Sequence, residues 1–367
     1  MSCHLLIIFF VTMSTMSSGN SSDCSKSRDK ALDATKGLLI ILIVFVHITA
    51  MTTQWINWIN TFKLAGFFMV TGIIISQKGD SYNYKRRFKK IFTLYWIFSL
   101  ILIFLRFILK SIQTGFSSSW QEVILSIKET MTLAGFSTLW FLPALLMAEG
   151  MLYVGIILKT RLKSDGIMWV LLITSSILFL FYQVVYNTII IHCPILQPWF
   201  RAIPALIFLV WGYYIASTIR SLNGCKQLIF AVLGVVLGIV LSLDLSEINW
   251  NGFQFGNNGL LFLLAGGFSS QGILVLFKVL NQFKLITPII YLLSWIGENS
   301  LIIMVTHHAL PYIFLSRAIT NLIPCNLSII SADCLTCSWV FLLEIPTILI
   351  YKKLKCYISV RSSVGVL

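Results

Sequence analysis

Residues Leu32–Met51 read LDATKGLLIILIVFVHITAM. Between Lys36 and His47 this stretch holds no charged or amide side chain. A helix of about 20 such residues crosses the hydrocarbon core of a bilayer, and it satisfies its own backbone hydrogen bonds on the way. The rest of the chain repeats the pattern. Of 367 residues, 57% are hydrophobic and 11% charged, too little polarity to cover the exterior of a soluble domain of this size. Short alternating strands of the porin kind are not seen.

The sequence therefore predicts an all-α integral membrane protein of about ten transmembrane helices. They fall roughly at Leu38–Met51, Phe62–Gln77, Ile91–Leu109, Leu139–Leu158, Gly166–Tyr182, Ala202–Ser217, Leu228–Leu243, Gly259–Phe277, Trp295–Leu315 and Leu335–Tyr351. The longest loop expected is Lys110–Thr138, on the outer side.

A net charge of +14 suggests nucleic acid until the charges are placed. If the first span starts in the cytoplasm, all 27 Lys and Arg fall in cytoplasmic segments except Lys63, Arg106, Lys110, Lys128, Arg201 and Arg317. The positive-inside rule gives this asymmetry. It puts both termini in the cytoplasm and leaves membrane lipid, not nucleic acid, as the charged neighbour. Three regions are expected: a loosely ordered or interfacial extension over 1–30, a membrane domain over 31–355 and a cytoplasmic tail over 356–367. Cys334 and Cys337 form a CxxC with no second pair to complete a zinc site, so no metal is expected. A Cys325–Cys334 disulfide is an open alternative.

Ionisable groups at membrane depth usually face a cavity or a partner. Lys36 and His47 are eleven residues apart, which returns a helix to about 20° from its start and raises it about 16 Å. Lys36 is thus expected at the cytoplasmic mouth, paired with Asp33 one turn earlier, and His47 near mid-bilayer. Glu149 lies about 13 Å from Trp140, which suits the outer interface, and His307 about 13 Å from Glu298. These rises put all three groups at one level, as in a polar chamber. The ordinary reading of such a histidine is a hydrogen bond to a neighbouring helix; the functional one is a general base. Glu344 is a fourth candidate, with a structural role as the competing reading. The basic run Lys85–Lys90 either fixes topology or docks a phosphorylated donor, with Arg87 and Lys90 on one helix face. Gly66 and Gly72 in the second span suit close helix packing.

In combination these motifs resemble the acyltransferase 3 family of membrane acyltransferases, in particular its fucose-4-O-acetylase-like branch, over about residues 31–351. The resemblance rests on Leu32, Asp33, Lys36, Gly37 and His47 in the first span. It continues with the Phe67, Phe68, Thr71, Gly72 segment and the basic pair Arg87 and Lys90. LWFLPALL at Leu139–Leu146 and GENSLIIMVTH at Gly297–His307 complete it. This chain departs from the pattern with Lys90 in place of an arginine, Lys63 where a histidine is common, and no proline after the basic pair. The resemblance implies an O-acyltransferase of the cytoplasmic membrane. Its donor is expected to be acetyl-CoA, bound near Lys36, Arg87 and Lys90. Its acceptor is expected to be a hydroxyl of a cell-surface glycan or lipid-linked saccharide. His47 is then the expected base, Glu149 its orienting partner and His307 an aid to acceptor positioning. A transporter or flippase, or a polymerase, of lipid-linked saccharides is the alternative class. A flippase needs no acyl-CoA.

Overall fold

A computed structural model describes residues 28–51, 53–114, 116–185, 193–308, 310–323 and 328–364. The expected extension over 1–30 falls almost wholly outside these residues, as does Cys325. Cys334 and Cys337 are free thiols.

The chain is an all-α membrane protein. In order it forms α1 (Lys30–Ile48), α2 (Gln54–Lys78), α3 (Tyr84–Thr114), α4 (Phe116–Met131), α5 (Phe141–Leu162), α6 (Gly166–Val185), α7 (Gln197–Ser221) and α8 (Cys225–Ser242). A two-stranded hairpin follows, β1 (Ile248–Asn249) and β2 (Gln254–Phe255), with Ile248 opposite Phe255. Then come α9 (Gly259–Leu280), α10 (Thr287–Glu298), α11 (Ser300–Thr306), α12 (Tyr312–Asn321) and α13 (Ile329–Val364).

Among the described residues, eight helices are long and apolar enough to cross a bilayer, and nine if the bent pair α10–α11 counts as one. The fifth expected span, in α6, is an apolar helix shorter than these over its described residues, Gly166–Phe181. The ninth expected span, Trp295–Leu315, is not one helix. The chain bends by 60° at Asn299, whose side chain donates to the Trp295 carbonyl at 2.7 Å and competes with the backbone ladder. Pro311 then caps a separate helix. Nor is Lys110–Thr138 a loop: most of it is α4, held to α3 by Glu122, which pairs with Lys110 at 2.9 Å and Arg106 at 3.0 Å. The expected tail is helical too, since α13 runs on to Val364.

Burial sorts the spans. In α2 and α9, 72% of the most apolar window is buried, against 28% in α3, α8 and α13. The first two are the centre of the bundle, and the last three turn most of their side chains outward, where lipid replaces protein. Small residues set the closest contacts. A Cβ on Gly37 of α1 would lie 2.0 Å from the Leu293 carbonyl of α10, and one on Gly297 would lie 1.8 Å from the Asp33 carbonyl. The two backbones touch through these glycines. Gly72 likewise meets Leu209 of α7, while Gly66 faces the Leu39 side chain. This α1–α10 contact brings the LDATKG and GENS segments together. It also fixes where the far end of α1 stands relative to α11.

Candidate functional site

At the C-terminal end of α1, His47 faces a cavity of about 390 Å³, within the size range of small-molecule sites. It lies one residue from the end of the helix rather than midway along a span, because α1 stops at Ile48. His307, just past α11, and His308 share the cavity wall with it. The His47 ring centroid is 5.3 Å from each of theirs. His47 and His308 are exposed to the cavity; His307 is fully buried. Nδ1 of His307 lies 2.8 Å from the Ile303 carbonyl. A carbonyl only accepts, so Nδ1 carries the proton, and in the neutral ring Nε2 is left with a lone pair. That Nε2 has no partner among the described residues. Ser137 Oγ lies 3.3 Å from His308 Nδ1.

The remaining walls come from α2 (Asn60, Lys63), from the turn Ser137–Trp140 before α5, and from the hairpin (Glu247, Asn249, Trp250, Asn251). Arg201 of α7 ties the turn to the hairpin. It donates to the Ala134 carbonyl and, at 3.0 Å, to the Asn251 carbonyl, and it lies over the Trp140 and Phe253 rings. Phe68 of the aromatic segment in α2 stacks on Trp250, with centroids 5.6 Å apart. The aromatic motif thus supports the cavity wall from behind. Two further buried polar atoms on the lining, Thr138 Oγ1 and Trp250 Nε1, also lack a partner. Most buried polar groups are hydrogen-bonded. Three such orphans belong to residues of one cavity wall.

Toward the other end of α1 the buried acids Asp33 and Glu149 are both matched. Asp33 pairs with Lys36 at 2.5 Å and with Arg28, and Asp29 caps the helix. Arg87 of α3 pairs with Glu149 of α5, Nη2 to Oε1 at 2.8 Å and Nε to both oxygens at 2.8 and 2.9 Å. Tyr82, in the loop before α3, donates to Glu149 Oε2 at 2.8 Å. Burial first, and the Glu149 charge second, push the Tyr82 phenol above its ordinary range and keep it a donor. Lys36 is within electrostatic reach of Arg87.

The expected set is therefore divided. His47 and His307 meet in the cavity. Glu149 does not join them: it is held by Arg87 and Tyr82. The depth assigned to it assumed that Trp140 lies at the membrane interface, whereas Trp140 is buried in the cavity wall. Lys36 and Arg87 share the opposite end. Lys90 is exposed and lines an apolar groove between α3 and α13, beside Arg86 and Lys89. Glu344 is fully buried against the Thr306 hydroxyl at 2.8 Å, outside the cavity lining. His308, Asn60 and the hairpin residues escaped sequence reasoning. The His307–His308 doublet was the one visible signal; the hairpin left none. Among the described residues no group of three or more His, Cys, Asp or Glu is arranged to hold a metal ion.

Comparison with known proteins gives one match. Residues 29–349 fit the family model of an acyltransferase domain, Acyl_transf_3. No curated protein and no solved structure matches the chain.

Proposed function

Because the chain belongs to the acyltransferase 3 family, and so is a membrane acyltransferase, we propose that it moves an acetyl group from acetyl-CoA to a saccharide hydroxyl in the His47 cavity. The observation that supports this is the meeting of an accessible histidine with three unpartnered polar atoms in one cavity. Such atoms suit a ligand rich in hydroxyl groups, and Trp140 and Trp250 offer it apolar faces.

A ring nitrogen of His47 takes the proton of the acceptor hydroxyl as its oxygen attacks the thioester carbonyl. The tetrahedral intermediate collapses, the C–S bond breaks, and the thiolate of CoA leaves with the proton returned by His47. General-base help of this kind contributes about 10²–10⁴-fold. His307 holds its lone pair in the same wall and orients His47 or the acceptor. Glu149 acts elsewhere, by holding Arg87.

The donor phosphates bind at the Lys36 and Arg87 end, and the pantetheine arm covers the rise of about 16 Å to His47. The cavity lining does not include Lys36, Arg87 or Lys90. Arg87 must give up part of its contact with Glu149 before it can fork onto phosphate. The lysine-rich and arginine-rich ends of the spans favour a cytoplasmic donor side, with both termini cytoplasmic. The acceptor is then a glycan, or its lipid-linked precursor, on the opposite face of the cytoplasmic membrane.

The test is glycan mass in cells with the protein, without it and with His47→Ala. A gain of one acetyl group per modified sugar, lost in His47→Ala, is expected. Unchanged mass in cells that make the protein and carry candidate glycans moves the assignment to transport or polymerisation.

A further inference from the structure

The His47 cavity holds one buried lysine that the transfer chemistry leaves without a task. Lys63 stands within α2 and is 8% exposed, yet it lines the cavity. Asn60, one turn earlier on the same helix face, is buried and lines it too. Lys63 makes no ion pair among the described residues; the matched acids are Asp33, Glu122, Glu149 and Asp165. Glu247, the one acid in the lining, is exposed and also unpaired. The other titratable groups of the wall are the three histidines, and Lys63 is within electrostatic reach of His47 and His307. A buried lysine keeps its proton at least cost when an anion lies against it, and in membrane proteins such groups face a cavity and meet their partner there.

We propose that the acceptor is an acidic saccharide, whose carboxylate or phosphate sits against Lys63 and Asn60 while a neighbouring hydroxyl reaches His47. This rests on the reading of the cavity as the acceptor site. Three candidate anions compete for Lys63. That reading places the donor phosphates at the Lys36 and Arg87 end, outside the cavity lining. The oxyanion of the tetrahedral intermediate exists only in passing and gives Lys63 no partner while the acceptor binds. An acid on the bound acceptor matches it from binding to release. Thr138 Oγ1 and Trp250 Nε1 remain for the sugar hydroxyls.

The experiment is equilibrium binding to the full chain in lipid nanodiscs, without donor. The probes are methyl glucuronide, its neutral methyl ester, methyl glucoside and methyl glucoside 6-phosphate. At least one acidic probe is expected to bind about tenfold or more tighter than the neutral pair, the scale of one hydrogen bond to a charged group. The stronger of the two acids identifies the group. That preference is expected to collapse in Lys63→Gln and to persist in Lys63→Arg. Glu247→Gln is expected to strengthen acidic probes only. Equal binding of acidic and neutral probes by the unaltered protein overturns the proposal, whether or not Lys63→Gln folds. So does a preference that survives Lys63→Gln, or displacement of the acidic probe by desulfo-CoA, which assigns the charge to the donor. Binding is read without turnover. A Lys63-dependent preference in a protein that transfers no acetyl therefore leaves this site standing and removes the transfer reading instead.

Discussion

The two ends of the bundle treat charge in opposite ways. Toward the Lys30 end of α1, each buried acid has its cation: Asp33 with Lys36 and Arg28, Glu149 with Arg87. Around His47, Lys63 has no ion pair and three buried polar atoms have no partner among the described residues. A closed ion pair offsets much of the desolvation cost of its charges and holds helices in register. A wall of unsatisfied groups is stable only if something else completes it. On the proposed reading, one end is at rest without a ligand and the other receives one. The donor-binding role expected for Lys36 and Arg87 has to be won from Asp33 and Glu149, so donor entry should be coupled to opening of these pairs.

The largest expected effect lies in the cavity. His47→Ala should lower acetyl transfer about 10²–10⁴-fold with little change in thermal stability, because the ring faces a cavity. Transfer rate and melting temperature, measured on one preparation, check both halves. An acylated His47 trapped after mixing with donor alone would replace direct attack with a two-step route. The opposite end should respond in stability. Arg87→Ala leaves Glu149 buried without its cation and should cost about 3–5 kcal/mol, whereas the double change Arg87→Met with Glu149→Leu should recover most of it. Normal melting of Arg87→Ala would break the contrast between the ends.

A smaller effect is expected where α1 meets α10. Gly297→Ala places a methyl group against the Asp33 carbonyl and should cost about 1–3 kcal/mol by forcing the helices apart. Transfer should fall with it, since His307 follows α10 and α11 in the chain. Smallest is the surface cluster that joins Glu122 of α4 to Lys110 and Arg106 of α3. Lys110, through a hydrogen bond, and Arg106 hold the Glu122 carboxyl below its ordinary range. The pair contributes only above the unfolded carboxylate pKa and is lost as pH falls through the lower folded value. Glu122→Gln should therefore abolish a slight acid-induced change in Trp120 fluorescence and leave neutral-pH stability nearly unaltered.

Much of this molecule is legible in one dimension. The apolar runs that mark α1, α2, α5, α7 and α9 show as spans because the bilayer imposes a length and a composition on each helix separately. The Asp33–Lys36 pair is likewise local, one helical turn along α1. The expectations that failed are those in which the decisive contact lies on another element. The span through Asn299 is broken by one side-chain hydrogen bond to the backbone, in a segment whose hydropathy is unremarked by it. The amphipathic α4 reads as a loop because it does not cross. Glu149 shares its helix with an apparently interfacial Trp140, and only the packed structure turns Trp140 into the cavity and Glu149 onto Arg87.

By itself, the sequence determined the class of solvent, most of the spans, the family, and His47 with His307 as the histidines to watch. Periodicity, length and motif order are properties of a chain read along its own axis. The tertiary structure alone decided that the His47 and His307 ring centroids stand 5.3 Å apart, that Glu149 does not join them, and that Lys63 lines their cavity without an ion pair among the described residues. Those facts depend on which helices touch and how they are rotated, and the pairing of helices is set by shape and by glycine contacts between distant segments such as Gly37–Leu293 and Gly297–Asp33.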